Sequence, residues 1–168
     1  MPLDNLENSL LHDLGEILAA ETQFTKLLRV VIRTGRDEEI KQVADDHLLE
    51  TLRHIQNLKE AFSLLGVKPE KGRISKGAQG IVLESETKIR DGKPIGALKD
   101  LALISGCLRM EHYEVAAYTT ASCLAKALSK RDILLLLQEN LKAENAVLKK
   151  LESLAARVSR NARVAGSG

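Results

Sequence analysis

Four segments of this chain have the apolar periodicity of long helices, and each carries ionisable side chains in the middle of its apolar stripe. Acidic side chains are almost never fully buried unless they are paired or bind a metal ion. Several that converge in one interior would lose their hydration and repel one another. The pattern therefore favours a helical bundle with cations at its centre. The residues concerned are Glu21, Glu50, His54, Glu111, Glu114 and Glu144.

Helical spacing sets the predicted elements. The first helix runs from about Pro2 to Arg33, and Gly35 ends it. The second begins near Asp37 and stops at about Leu65, before Gly66 and Pro69. Asp4 with Glu7 is interpreted as a capping box for the first helix.

The second half of the chain repeats this arrangement after a long connection. Glycines and a proline interrupt residues 67–94, which are too many for a tight hairpin, and a short helix is predicted over 81–90. The third long helix runs from Pro94 or Ile95 to Leu128, and the fourth follows Ser129 and ends near Val158. The predicted fold is all-α, an antiparallel four-helix bundle whose crossover carries the extra helix. Residues 1–158 form one domain, and 159–168 form a flexible tail.

Composition narrows the class of protein. The net charge is +2 with both signs interleaved, and there is no Trp, so a nucleic-acid surface is not expected. No apolar run is long enough to span a membrane, and the N-terminus has no secretion signal. Cys107 and Cys123 form no CxxC pair and are interpreted as small apolar residues. We therefore expect a soluble, cytoplasmic protein in a reducing compartment.

The acidic positions are predicted to share one layer. Glu21 lies about fourteen residues before the first turn and Glu50 about fifteen after it, so both are roughly 20 Å from that turn. Glu114 and Glu144 have the same relation to the turn near Ser129. If the two hairpins pack side by side, all four carboxylates meet at mid-height of the bundle.

The donor types select a metal. Residues three or four apart face the same neighbour, so Glu50 can act with His54, and Glu111 with Glu114. Calcium prefers all-oxygen loops and zinc more nitrogen or sulfur, whereas carboxylates with an imidazole suit two divalent Fe or Mn ions. The competing interpretation is that register shifts place the acids at the boundary of the core, with His54 a hydrogen-bonded core histidine.

Two neighbouring side chains were left outside the predicted ligand set. His47 lies on the apolar stripe of the second helix and is interpreted as a packing residue or as one that contacts a ligand. Tyr118 lies one turn after Glu114. It either donates a hydrogen bond to a ligating carboxylate or packs in the core with its hydroxyl satisfied elsewhere.

Four segments carry a family resemblance that covers residues 6–154. The chain resembles the ferritin-like superfamily, and within it the YciE/YciF-like bacterial stress proteins. This resemblance implies a four-helix bundle with a dinuclear carboxylate site made by the six residues named above, with Glu21 from the first helix and Glu144 from the fourth. The segments are AAETQ (19–23), DHLLETLRHIQNL (46–58), RMEHYEVAAY (109–118) and LLQENLKAE (136–144).

Two positions depart from the superfamily pattern. Its second helix carries Glu-x-x-His, whereas Glu50 and His54 are four residues apart. Its fourth helix carries a histidine where this chain has Val147 and Leu148. These differences imply that one metal is weakly held, or that His47 or water supplements its ligands.

The resemblance and the donor set lead to two functional hypotheses. One is a di-iron or di-manganese protein that reduces or disproportionates peroxide in oxidative or general stress; no catalytic side chain is identified for it. The other is a non-enzymatic stress protein that sequesters metal, or a dimeric scaffold with a vestigial site. A storage cage is a third possibility. The small residues of 116–127 favour a homodimer.

Overall fold

Long amphipathic segments form helices throughout the part of the chain that the computed structural model describes, residues 3–165, with side chains described for 3–163. The all-α prediction is confirmed, since these residues contain helices, turns and no strand. The elements are α1 (Leu6–Thr34), α2 (Glu38–Leu64), α3 (Lys76–Gly92), α4 (Gly96–Ala127) and α5 (Arg131–Ala165).

Polar side chains fix several helix starts. Asp37 caps α2 by accepting from the backbone N–H groups of Glu39 and Ile40. At α1 the predicted Asp4–Glu7 capping box is wrong. Asn5 is the cap, because its side chain accepts from the Asn8 N–H at 2.8 Å, while Asp4 accepts from the Asn8 side chain.

The crossover helix is longer than predicted, since α3 begins at Lys76 instead of residue 81. Ser75 caps it and is itself held by tertiary contacts: its N–H donates to Gln23 and its hydroxyl bonds the Tyr113 hydroxyl at 2.9 Å. A glycine lets α3 lie close against α4. A Cβ on Gly106 would lie 2.6 Å from the Ser85 hydroxyl, closer than a real side chain allows.

The four long helices form a bundle in which packed neighbours are antiparallel, with α1 against α2 and α4, and α5 against the same two. Two contacts close one end. Asp100 at the start of α4 accepts from the Arg36 N–H at 2.8 Å, and Arg157 of α5 pairs with Asp37 at 2.7 Å. The crossover returns the chain to this end, so α4 runs parallel to α2.

The apolar core is divided into two clusters. One is built around Phe24, Ile104 and Leu151, and the other around Leu14, Leu58 and Leu137. The buried acids and histidines lie between these clusters along α1, α2, α4 and α5. The helices are uninterrupted through this layer, so its polar side chains stay enclosed by the bundle.

The C-terminal helix continues past the predicted domain limit. α5 extends through Ala165, so most of the stretch 159–168 is helical, and the remaining residues of that stretch lie outside the described part. The flexibility of the tail stays a prediction. Among the helices in residues 3–165, none is long and apolar enough to cross a membrane.

Candidate metal centre

The structure brings five of the six predicted ligands into one buried layer. Glu21, Glu111 and Glu144 are fully buried, Glu114 is 1 % exposed and His54 is 2 % exposed. They come from α1, α2, α4 and α5, so every long helix contributes at least one donor. The predicted convergence at mid-height is therefore present in the structure; whether these residues bind metal stays a prediction.

The sixth predicted ligand, Glu50, lies outside this layer. Its side chain is 44 % exposed. The buried face of α2 includes His47, Thr51 and His54. At about 100° per residue, Glu50 is about 60° from His47 to one side and Thr51 about 40° to the other. His54 projects between His47 and Glu50 on this face, so Glu50 stands at its edge.

His47 occupies the place in the layer that was predicted for Glu50. It is 1 % exposed, and its imidazole lies 6.5 Å from that of His54 between ring centroids. The sequence signal was available, because residues seven apart on a helix lie on the same face two turns apart. Glu50 was predicted because it lies one turn before His54 on the stripe and because the resemblance implies a carboxylate beside that histidine.

One half of the layer is built around His54, and we call it the His54 half: Glu21, His54, Tyr118 and Asn140. The Nδ1 atom of His54 lies 3.2 Å from Oε1 of Glu21 and 2.8 Å from Oε1 of Glu144. Donor atoms of these three residues all lie within 4.8 Å of one another. An imidazole nitrogen and two carboxylates thus face one small volume.

Hydrogen bonds fix the positions of the His54 half. The Tyr118 hydroxyl donates to Oε1 of Glu21 at 2.5 Å and accepts from the Asn140 amide at 3.0 Å. Asn140 in turn accepts from Asn57 at 2.7 Å. Of the two predicted roles for Tyr118, the bond to a candidate ligand is the one present. Asn140 was not predicted, although it lies one turn before Glu144 on the stripe of α5.

The other half is built around His47, and we call it the His47 half: His47, Glu111 and Glu114. The Nε2 atom of His47 lies 3.1 Å from Oε1 of Glu111 and 3.6 Å from Oε2 of Glu144. These residues and Glu114 each offer a donor atom within 4.8 Å of the others. Glu144 belongs to both donor groups, so its carboxylate can bridge two ions.

Most donor atoms of the layer have no hydrogen-bond partner, and this observation tests whether a cation fits. Among the described residues, nine side-chain atoms of the layer are buried and make no hydrogen bond of good geometry. The imidazole nitrogens approach carboxylate oxygens closely, yet they do not point at any one of them. Unsatisfied buried oxygens are costly. Four carboxylates and two imidazoles that face two shared volumes suit hard or borderline divalent cations. The residues fit a dinuclear site.

Burial raises the pKa values of three carboxyl groups of the layer. Burial raises the pKa of Glu114 well above its ordinary value, and the charges of Glu144, Glu21 and Glu111 raise it further. Burial also raises the pKa values of Glu21 and Glu144, although contacts with His54 oppose the shift in each case. Metal binding would displace these protons, so affinity should rise with pH.

The two histidines also favour their protonated forms. Burial alone lowers the pKa of His54, but its contacts with Glu144 and Glu21 outweigh burial and raise the pKa to about 9. Burial likewise opposes protonation of His47, and Glu111, Glu50 and Glu144 raise its pKa well above the ordinary value. The metal-free layer therefore limits its net negative charge by binding protons.

A small apolar cavity borders the His47 half and has room for about one water-sized sphere. Its wall includes Val147, Ala44 and Cys107, and its only ionisable side chains besides that thiol are His47 and Glu111. Apart from His47 and the thiol, this wall offers the Glu111 carboxylate only apolar neighbours. Burial beside Glu111 also raises the pKa of the Cys107 thiol, which keeps it protonated.

The bundle and its buried acids define an all-helical protein of the ferritin-like class, and comparisons with known proteins agree. The fold matches the crystal structure of the Escherichia coli stress protein YciF with a TM-score of 0.88 at 28 % identity, over 94 % of this chain and 99 % of that one. The Rhodopseudomonas palustris protein YcfI matches with a TM-score of 0.84 at 32 % identity, over 90 % and 97 %. A ferritin-like, diiron-carboxylate protein from Bacillus anthracis matches with a TM-score of 0.71 at 15 % identity, over 91 % and 99 %, which supports the fold alone.

The chain belongs to the family described as Domain of unknown function (DUF892), whose model matches residues 5–163. Its sequence is 31 % identical to that of YciF from Escherichia coli K12 over 158 residues, covering 92 % of this chain and 93 % of the other. The resemblance to YciE/YciF-like ferritin-like proteins is confirmed.

This chain differs from the common ferritin-like arrangement in the origin of its nitrogen donors. That arrangement takes a Glu-x-x-His pair from each of two helices. Here Thr51 stands three residues before His54, and Val147 stands three residues after Glu144. Both candidate imidazoles come from α2, while α4 supplies two carboxylates.

Proposed function

We propose that this chain is a dinuclear-metal carboxylate protein that binds two Fe or Mn ions and acts on peroxide during oxidative or general stress. The observation that carries the proposal is the convergence of donor atoms from four helices on two shared volumes, where nine buried oxygen and nitrogen atoms of the described residues make no hydrogen bond. Its relative YciF is named as a stress protein, which supports the physiological setting.

The proposed ligands form two sets, one in each half of the layer. Glu21 and His54 would hold one ion, and His47, Glu111 and Glu114 the other, with Glu144 common to both. The bound ions would supply adjacent redox-active centres that exchange electrons with peroxide. The carboxylates neutralise the positive charge, and the two apolar clusters keep bulk water from the layer. Binding of the ions would displace protons held on Glu114 and the histidines.

Metal analysis tests this proposal. Protein produced in medium supplemented with iron and manganese should contain close to two ions per chain by elemental analysis, and should evolve oxygen from hydrogen peroxide or consume peroxide with an added reductant. Glu111→Gln should lose about half of the metal, because Glu111 serves only the His47 half. Glu139→Gln on α5 is the matched control, since Glu139 lies at the surface beside Arg53.

Folded wild-type protein with only traces of metal under these conditions would contradict the proposal. Equal metal content in Glu111→Gln and Glu139→Gln would contradict the assignment of ligands.

A second candidate function is metal sequestration without turnover. The observation that favours it is the enclosure of the site: the donor atoms without hydrogen bonds are completely buried, and the adjoining cavity is small and apolar. A sequestering protein should retain its two ions against a chelator and show no peroxide consumption above that of Glu111→Gln. Turnover that tracks metal content across these variants would exclude this alternative.

A further inference from the structure

Glu50 contacts the far side of His47. Its Oε2 atom lies 3.5 Å from Nδ1 of His47, one helical turn earlier, while Nε2 of the same ring faces Glu111 and Glu144. The ring is buried, whereas the Glu50 carboxylate is nearly half exposed. Glu50 therefore connects a buried candidate ligand with the surface of α2.

In any one neutral tautomer of an imidazole, one ring nitrogen is a proton donor and the other is not. A neutral imidazole has one N–H and one lone pair, and only the nitrogen with the lone pair can bind a metal. For Nε2 of His47 to bind, the proton must reside on Nδ1, where a carboxylate acceptor stabilises it. Histidine ligands commonly donate their other N–H to such a partner, which fixes both tautomer and ring orientation.

His54 presents the opposite nitrogen. Its Nδ1 atom faces Glu21 and Glu144, so the two histidines of α2 enter the layer through different ring atoms. The position of Glu50 one turn after His47 selects the tautomer of that residue alone. A defect at Glu50 should consequently affect one half of the site and spare the other.

We infer that Glu50 is a positioning residue that accepts the Nδ1–H of His47 and thereby directs the Nε2 lone pair to the metal of the His47 half. This inference rests on the proposed function and deepens it by assigning a role to the carboxylate that the sequence pattern had placed among the ligands. Glu50 acts through His47 and binds no ion itself.

Binding isotherms with manganese alone test the inference. Metal-free wild type, Glu50→Ala and Glu50→Gln are titrated, and Asp46→Ala serves as a control that removes an exposed carboxylate from the same helix. Glu50→Ala should weaken one of the two binding events by about 10- to 100-fold and leave the other unchanged. Glu50→Gln should recover most of this loss, because its amide oxygen accepts the same hydrogen bond.

A spectroscopic measurement separates positioning from a general structural effect. In zinc-loaded protein, long-range nitrogen–proton spectra of the histidine rings should place the His47 proton on Nδ1. In Glu50→Ala this signal should weaken or move while the His54 signals stay in place.

Several results would overturn the inference. They are equal weakening of both events in Glu50→Ala, no weakening of either, Glu50→Gln as defective as Glu50→Ala, or a His47 proton on Nε2 in the zinc form. If wild type binds no metal, the proposed function fails and the inference with it; if wild type binds two ions and Glu50→Ala matches it, only the inference fails.

Discussion

The two halves of the buried layer solve the same electrostatic problem differently. In the His54 half, Tyr118 and Asn140 supply hydrogen bonds that hold Glu21 in place without any cation. In the His47 half, all four carboxylate oxygens of Glu111 and Glu114 are buried without a hydrogen bond. The positions of the first half are therefore fixed by hydrogen bonds within the protein. The carboxylates of the second half depend on a cation or on bound protons to balance their charge.

The largest expected effect comes from the one residue that both halves share. Glu144→Gln should lose both ions, with a fall in affinity greater than the roughly 10- to 100-fold typical of residues outside the ligand set. The reason is that Glu144 belongs to both donor groups. Titration with manganese, followed by elemental analysis, measures it. Retention of one ion at wild-type affinity would show that the halves do not share this carboxylate.

The second effect concerns pH. Because the folded pKa of His54 is about 9 and its ordinary value is 6.5, its contribution to stability is complete below pH 6.5 and is lost as pH rises through about 9. At about 1.4 kcal/mol per pKa unit, the metal-free protein should lose roughly 3 kcal/mol over this range. The raised pKa values of Glu21, Glu114 and Glu144 act in the same direction.

Urea denaturation of metal-free protein at several pH values measures this loss, and the manganese-loaded protein is the control. With ions bound, the slope should flatten or reverse, since binding has already displaced the protons. A metal-free protein whose stability is constant across this range would show that the histidines are not paired with carboxylates as described.

A smaller effect is expected from a substitution in the His54 half. Tyr118→Phe should lower the free energy of unfolding by about 2 kcal/mol, because it removes a buried hydrogen bond to a carboxyl group and leaves the Asn140 amide only its 3.4 Å bond to the His54 carbonyl oxygen. It should also lower the metal affinity of the His54 half by about tenfold and leave that of the His47 half unchanged.

The other tyrosine of the chain provides the control for that substitution. Tyr113→Phe removes one partly buried bond, to Ser75, and should cost only about 1 kcal/mol without a change in metal affinity. Denaturation curves and isotherms for the two variants should therefore differ. Equal losses in both would mean that the Tyr118 bond has no special relation to the site.

The smallest effect is expected when an imidazole is added to the His47 half. Val147 lines the cavity beside His47 and Glu111, so Val147→His should place a further imidazole there and tighten the second ion by about tenfold, or about 1.4 kcal/mol. Val158→His is the control, since Val158 is on the same helix and equally buried, at 3 % exposure, within the apolar cluster. Unchanged affinity in Val147→His would indicate that the second ion lies away from this wall.

Local sequence signals were sufficient for most of the fold. Apolar periodicity placed the ends of the four long helices to within a few residues, except that α5 continues to Ala165 instead of ending near Val158. The interruptions near Gly35, Gly66 and Ser129 marked the other helix ends. The start of α3 was missed because it depends on Ser75, whose contacts with Gln23 and Tyr113 join distant parts of the chain. A local pattern contains no information about such contacts.

Which residues bind metal stays a prediction, but the structure shows where the candidate side chains lie. Helical spacing brought Glu21, Glu111, Glu114 and Glu144 to one level, as the structure has them. On α2, His47 and Glu50 both border the stripe, and only the packing of α2 against its neighbours decides that His47 points inward and Glu50 outward. Asn140 was not predicted, because an isolated amide on a helix has no distinctive sequence pattern.

A helical bundle with charged groups in its middle follows from the sequence, because helical periodicity and the spacing of residues along α1, α2, α4 and α5 are local properties. Which of those groups share a volume, and which atom of each ring or carboxylate faces it, depends on how the helices pack. The rotation of one helix against another, by only a fraction of a turn, is set by the packing of all four together.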